Sequence, residues 1–276
     1  FIFCGFISAY ENEIIDNQVI VTICFISLIT LFLLATFSIG RFEYGERFNG
    51  FFNDPNQMAY WAVCVYCSLN LVNKNRAISI LGLIILIFIV ISTQSRSGLL
   101  GILVIVVALI IDNIRLMLAS YIKLAVLVMI LAVCSITVLV NITLLPKPEV
   151  TQKSETLSRV ENTDAREQLE IRGYLRPIDY PEFLIFGAGK GLENRFGTTN
   201  EIHSSWISII FYYGIPGTIL FSFFIYNVFK ENSIVVILIG VAPFIYGIST
   251  YGLRTPIFWF FLATLIHAKK NRLYIQ

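Results

Sequence analysis

The residues of this 276-residue chain best suited to chemistry are one histidine and a set of arginines placed at the ends of apolar segments. His203 stands in Glu201-Ile202-His203-Ser204-Ser205-Trp206, just ahead of an apolar run that closes on Tyr213-Gly214-Ile215-Pro216-Gly217. An imidazole with an ordinary pKa of about 6.5 suits a general base at neutral pH. The plainer reading of His203 is a capping or surface histidine. The other histidine, His267, falls at the far end of the last apolar segment and reads as structural. Arg47-Phe48-Asn49-Gly50-Phe51-Phe52-Asn53-Asp54-Pro55-Asn56 forms a polar, glycine-containing turn. Its Asn53, Asp54 and Asn56 suit a helix N-terminus, where free N–H groups and the positive dipole end can meet an anion; taken alone, the motif reads more plainly as a capped loop. In Ser95-Arg96-Ser97-Gly98 a charge lies close to hydrocarbon, so Arg96 is expected to face the interior or a water-filled cavity and to have a partner. Phe186-Gly187-Ala188-Gly189-Lys190-Gly191 is a lone glycine motif with no βαβ unit around it. Its backbone can still form a nest for a phosphate oxygen at Gly189 and Lys190.

These residues are carried by a chain that is 57% hydrophobic and only 14% charged, with a mean hydropathy of +0.77. A soluble domain covers its surface with about 25% charged residues. The composition therefore excludes a soluble globular protein, and it excludes disorder too, which is poor in apolar residues. A net charge of +2 is too balanced for binding nucleic acid through phosphate neutralisation. The five cysteines, Cys4, Cys24, Cys64, Cys67 and Cys134, all fall in apolar runs, which excludes a disulfide framework or a zinc cluster. Cys64 and Cys67 spell CxxC but read as two small apolar side chains.

A bilayer core about 30 Å thick needs roughly 20 apolar residues in helix. Such segments are expected at 18–39, 57–72, 77–93, 97–111, 119–143, 204–228 and 233–249, with an eighth at 255–268 and an apolar remnant at 1–9. The remnant and the Phe at position 1 point to a chain truncated at its N-terminus. The expected fold class is an all-α integral membrane protein, a polytopic helix bundle with one long extracytoplasmic loop subdomain. Its parts are 1–143, the loop 144–203, and 204–276 with a cytoplasmic tail. Orientation follows from Lys and Arg, which concentrate in cytoplasmic loops. Placing 73–76 inside puts Lys74, Arg76, Arg115, Lys123, Lys230, Lys269, Lys270 and Arg272 inside, and leaves Arg41, Arg47, Arg96 and Arg254 outside. Every one of the outer four is arginine, whose planar fork suits phosphate or carboxylate; snorkelling at the interface is the simpler use. Within the outer loop Asp164 is placed to cap a helix running to about Arg176, where Pro177 stops it. Arg159 and Arg166, seven apart, share one face of such a helix.

The order RFNGFFNDPNQMA, SRSG, a long outer loop with an arginine helix and GAGKG, then IHSSW leading into YYGIPG resembles the O-antigen ligase and O-antigen/capsule polymerase family of bacterial membrane glycosyltransferases. The resemblance runs from about Arg41 to Leu265. It implies an undecaprenyl-diphosphate-linked glycan donor, a glycan acceptor, contact with membrane lipid, no nucleic acid, and partnership with other polysaccharide assembly proteins. It implies no cofactor and no metal. Carried over residue by residue, the catalytic base maps onto His203 and the loop arginine onto Arg166, with Arg159 as competitor. The first two arginines map onto Arg47 and Arg96. Ser204 departs from the Asn that many members carry after the histidine. The expected site is therefore His203, Arg166 and Arg96 for catalysis, and Arg47, Asn56, Arg159, Gly189, Lys190 and Arg254 for substrate binding. Arginine at several outer positions favours a polymerase over a ligase that transfers glycan to lipid A-core. A lipid-linked glycan transporter or flippase is the rival class, although no internal repeat is visible and the polar residues gather at the outer edge. A sensor or scaffold with a passive ectodomain is a third. The implied location is the bacterial cytoplasmic (inner) membrane, multi-pass, with the active site on the periplasmic or extracellular side.

Overall fold

The computed structural model describes residues 2–12, 14–43, 47–114, 169–191, 193–197 and 201–273. They are mostly helical. The longer helices are α1 (Ile2–Glu11), α2 (Asn17–Thr36), α3 (Pro55–Val72), α4 (Arg76–Thr93), α5 (Arg96–Ile114), α8 (Ser205–Phe229), α9 (Ile234–Tyr246) and α10 (Pro256–Leu273). Two single-turn helices, α6 (Arg176–Asp179) and α7 (Phe183–Phe186), precede α8. Most of these helices open on a short polar side chain that satisfies an N–H with no helical partner. Asp16 accepts from Val19 N at 2.7 Å, Asp54 from Asn56 N at 2.6 Å and Asn75 from Ala77 N at 3.0 Å. Ser95 accepts from Gly98 N at 3.3 Å and Ser204 from Ile207 N at 3.4 Å.

Three helices, α2, α4 and α8, are long and apolar enough to cross a membrane, and α9 and the first part of α10 are shorter apolar helices. Ile23, Ile26, Ile80, Ile84, Leu220 and Phe223 are exposed on them. Water disfavours contiguous apolar faces of this kind, whereas lipid accepts them. The central helix is the opposite in character. α3 carries Tyr60, Cys64, Tyr66, Cys67 and Ser68 in a fully buried stripe and packs against α2, α4, α9 and α10. Cys64 and Cys67 are buried free thiols, and Cys67 donates to the Ile239 carbonyl at 3.4 Å.

The helices bring two sets of connections together at opposite ends. At one end Asn17 meets His267 Nε2 at 3.0 Å and Lys269 meets Glu231 at 3.1 Å. His267 also stacks on Tyr10, with centroids 4.4 Å apart, so it ties α1 and α2 to α10. The other end, here termed the site end, gathers the segments at 37–54, 94–95, 201–204 and 247–255.

Four expectations need correction or fall outside the description. Residues 41–43 and 47–50 form an antiparallel hairpin, β1 (Arg41–Glu43) and β2 (Arg47–Gly50), with Phe42 opposite Phe48. What reads as a turn at 47–50 is thus strand, stabilised by the edge-to-face contact of the Phe42 and Phe48 rings, with centroids 5.2 Å apart. The segment expected as one span at 204–228 is broken at Gly214 (φ 65°), two residues before Pro216. Pro177 does not end a helix at Arg176. The preceding helix stops at Ile171, Gly173 turns the chain at φ 70°, and Pro177 sits in the first turn of α6, where its missing N–H costs nothing. The span expected at 119–143 lies outside the described residues.

Candidate functional site

The site end is built in three tiers. The deepest joins α3, α4, α5 and α9 to β2. Arg47 Nε donates to the Thr93 carbonyl at 3.0 Å and its Nη2 to Asn56 Oδ1 at 3.1 Å. Ser95 Oγ donates to the same Asn56 oxygen at 3.0 Å and lies 2.6 Å from the Tyr246 hydroxyl, which itself donates to the Asn56 carbonyl at 2.7 Å. Asn56 is thus an acceptor hub that locks three helix ends together. The anion expected at the start of α3 is already supplied from within the chain, because Asp54 occupies the Asn56 N–H and Pro55 has none. The turn is therefore the capped loop that is its plainer reading in the sequence, and not an open anion site.

Arg96 departs from expectation as well. It is exposed at the first position of α5. The serines on either side turn inward instead, Ser95 to Asn56 and Tyr246, and Ser97 to Ser249. Among the described residues Arg96 meets no carboxylate.

The second tier is the 247–255 connection. Ser205 N donates to the Gly247 carbonyl at 2.8 Å, and Ser205 Oγ donates to the Thr250 carbonyl while accepting from Gly252 N, each at 2.9 Å. One hydroxyl therefore fixes the loop that carries Tyr251 and Arg254 against the start of α8.

The glycine-rich stretch is used differently from a phosphate nest. Ala188 N and Gly189 N donate to the carbonyls of Phe211 and Tyr212, at 2.7 and 2.9 Å. A regular helix would pair those carbonyls with the N–H groups of 215 and 216, but Gly214 breaks the turn and Pro216 has no N–H. The loop supplies the missing donors. Its backbone passes so close that a Cβ on Gly187 would fall on the Tyr212 carbonyl, and one on Gly214 would fall on Gly187 N. Arg195 clamps the loop from the other side through the carbonyls of Ala188 and Gly189. Gly189 is committed to docking, which corrects its expected role as a phosphate donor.

Beneath the loop lies a small apolar cluster of Ala188, Ile202, Phe211 and Tyr212 with Tyr174, Tyr180, Phe183 and Phe196 around it. Arg176, only 5% exposed, runs through this cluster to the Tyr212 hydroxyl at 3.3 Å, its guanidinium 5.9 Å from the Phe196 ring. Sequence reading took Arg176 only as a helix end. Its burial has no local signal, because it depends on α8 passing alongside.

The outermost tier holds the charges. Glu201 pairs through one oxygen with Arg254 and through the other with Lys190 Nζ at 3.7 Å. Both cations also lie against the Tyr251 ring, at 4.6 Å for Lys190 and 5.8 Å for Arg254. Burial pushes the Tyr251 phenol up to about 12, so it stays neutral. His203 follows Glu201 by two residues and is pinned by its N–H, which donates to the Arg172 carbonyl at 3.0 Å. It remains partly open to solvent. Its pKa lies below the ordinary histidine value, first because of desolvation and then because of the Arg172 charge; Arg254 acts the same way, and Asp54 and Glu201 oppose them. The ring is therefore neutral at pH 7 and able to accept a proton.

Of the expected site residues, His203, Lys190 and Arg254 come together with Glu201, while Arg47 and Asn56 meet each other in the deeper tier. Arg159 and Arg166 lie outside the described residues. Comparison of the chain with family models and with curated proteins finds no match.

Proposed function

We propose that this chain is a metal-independent glycosyltransferase of the bacterial inner membrane. It transfers glycan from undecaprenyl diphosphate to a sugar hydroxyl on the outer side, and it works as a polymerase of O-antigen or capsule repeat units. The observation that carries this reading is a histidine beside the charges of Arg172 and Arg254, with Glu201 next to it linking Arg254 to Lys190, at one end of a helical chain with exposed apolar faces. The chemistry such a group suits is direct displacement. His203 takes the proton of the attacking sugar hydroxyl, and the freed oxygen bonds to the donor's anomeric carbon. The bond from that carbon to the diphosphate oxygen breaks, its electron pair leaves with the lipid diphosphate, and the anomeric centre inverts. Fixed cations stabilise the negative charge growing on the leaving group, and they do so best where water is scarce. Arg166 and Arg96 serve the diphosphate in this reading, with Arg47 and Arg254 in support. The polytopic arrangement, the outer placement of 144–203 and contact with lipid and with other assembly proteins belong to the same proposal.

The test is reconstitution in vesicles with undecaprenyl-diphosphate repeat units and no other acceptor. A ladder of longer lipid-linked glycans is expected. Product that forms only when lipid A-core is added would identify a ligase, and movement of the intact donor across the bilayer without bond formation would identify a flippase.

A further inference from the structure

Glu201 stands in an unusual position for a residue beside a site meant for an anion. Its carboxylate is shared by Lys190 and Arg254, which approach its two oxygens separately, and both cations rest on the same Tyr251 ring. Two cations held over a single aromatic ring and bridged by two oxygens of one anion form a frame that a phosphate group, with more oxygens and more charge, fills better than a carboxylate. The three side chains keep between 33% and 45% of their surface exposed, so solvent reaches the frame. Ion pairs this exposed contribute at most about 1 kcal/mol each, so exchanging one anion for another costs little.

We propose that Glu201 is an internal substitute for a phosphate: it holds Lys190 and Arg254 in place while the site is empty, and the phosphate groups of the donor's diphosphate displace it on binding. This deepens, and rests on, the reading of the site as one for a lipid diphosphate. Displacement has a second effect. Glu201 is two residues from His203 on the same segment and its charge acts on the ring, so its release from Arg254 changes the charge beside the base at the moment the donor arrives. The residue thereby couples occupancy of the anion frame to the electrostatic surroundings of the histidine.

The experiment measures binding of inorganic pyrophosphate and of farnesyl diphosphate to the full chain in nanodiscs by calorimetry. Glu201→Gln is expected to bind both roughly threefold or more tightly than the native chain, because a competing anion is removed. Glu201→Asp, which keeps the charge but is one methylene shorter, should fall between the two. Arg254→Gln should weaken binding, and Glu201→Gln added to it should recover much less than threefold. Unchanged or weaker binding by Glu201→Gln, or no binding by any of these proteins, would overturn the proposal. Glycan transfer is assayed separately on the same preparations. Transfer without tighter binding by Glu201→Gln would remove the substitute and leave the enzyme, whereas tighter binding without any transfer would do the reverse.

Discussion

Among the described residues His203 is held by its backbone N–H and by no partner on its ring, which leaves the imidazole able to take a proton. Replacing it with Ala should lower transfer by about 10²- to 10⁴-fold, the usual contribution of a general base, while donor binding persists. Near-normal transfer by that variant would refute the assignment. The pH dependence follows from the direction of its shift. A base with a depressed pKa is active above that pKa and loses activity as pH falls through it, so the acid limb of the rate profile should lie below about 6.5. Arg172→Gln removes a cation that favours the neutral ring, and the limb should move to higher pH. Asp54→Asn removes a charge that favours protonation, and the limb should move lower. A limb that stayed put in both variants would mean that another group titrates.

The glycine loop and the kink in α8 explain each other. The helix leaves two carbonyls unpaired at Phe211 and Tyr212, and the loop arrives with two N–H groups to fill them. Gly187 and Gly189 both have positive φ, yet they should respond differently to substitution. A Cβ at Gly187 collides with backbone, whereas at Gly189 it meets open space. Gly187→Ala should therefore cost about 2 kcal/mol or more, and Gly189→Ala about 1 kcal/mol from backbone conformation alone. Unfolding in detergent measures both, and equal costs would contradict the close approach. At the deeper tier, Tyr246→Phe removes the hydroxyl that joins α9 to Asn56 and Ser95 and leaves buried acceptors short of a donor. A loss of about 1–2 kcal/mol is expected in the same assay.

The arrangement of helices makes a claim about sides. Asn73 joins α3 to α4 at the end opposite the site, whereas Glu182 lies in the connection that leads to the glycine loop. Single cysteines at these positions, in a chain whose native cysteines are replaced, should be labelled by a membrane-impermeant reagent from opposite faces of an oriented vesicle. Labelling of both from one face would defeat the topology on which the outer active site depends.

Much of the helical framework was legible in the linear chain. Long apolar runs mark helices because unpaired peptide groups are costly away from water, and Asp54 beside Pro55 marks the start of α3 because a short polar side chain satisfies a first free N–H group. Both signals are local. The partners at the site are not. Asn56 meets Tyr246 across 190 positions and Arg254 meets Glu201 across 53. The same lack of local signal hid the inward turn of Ser95 and Ser97 beside an exposed Arg96, the burial of Arg176, and the use of Gly189 as a backbone donor to α8. Which carbonyl stands unpaired, and which cation shares a carboxylate, depends on helices meeting in space, so those contacts were decided only when the chain had packed.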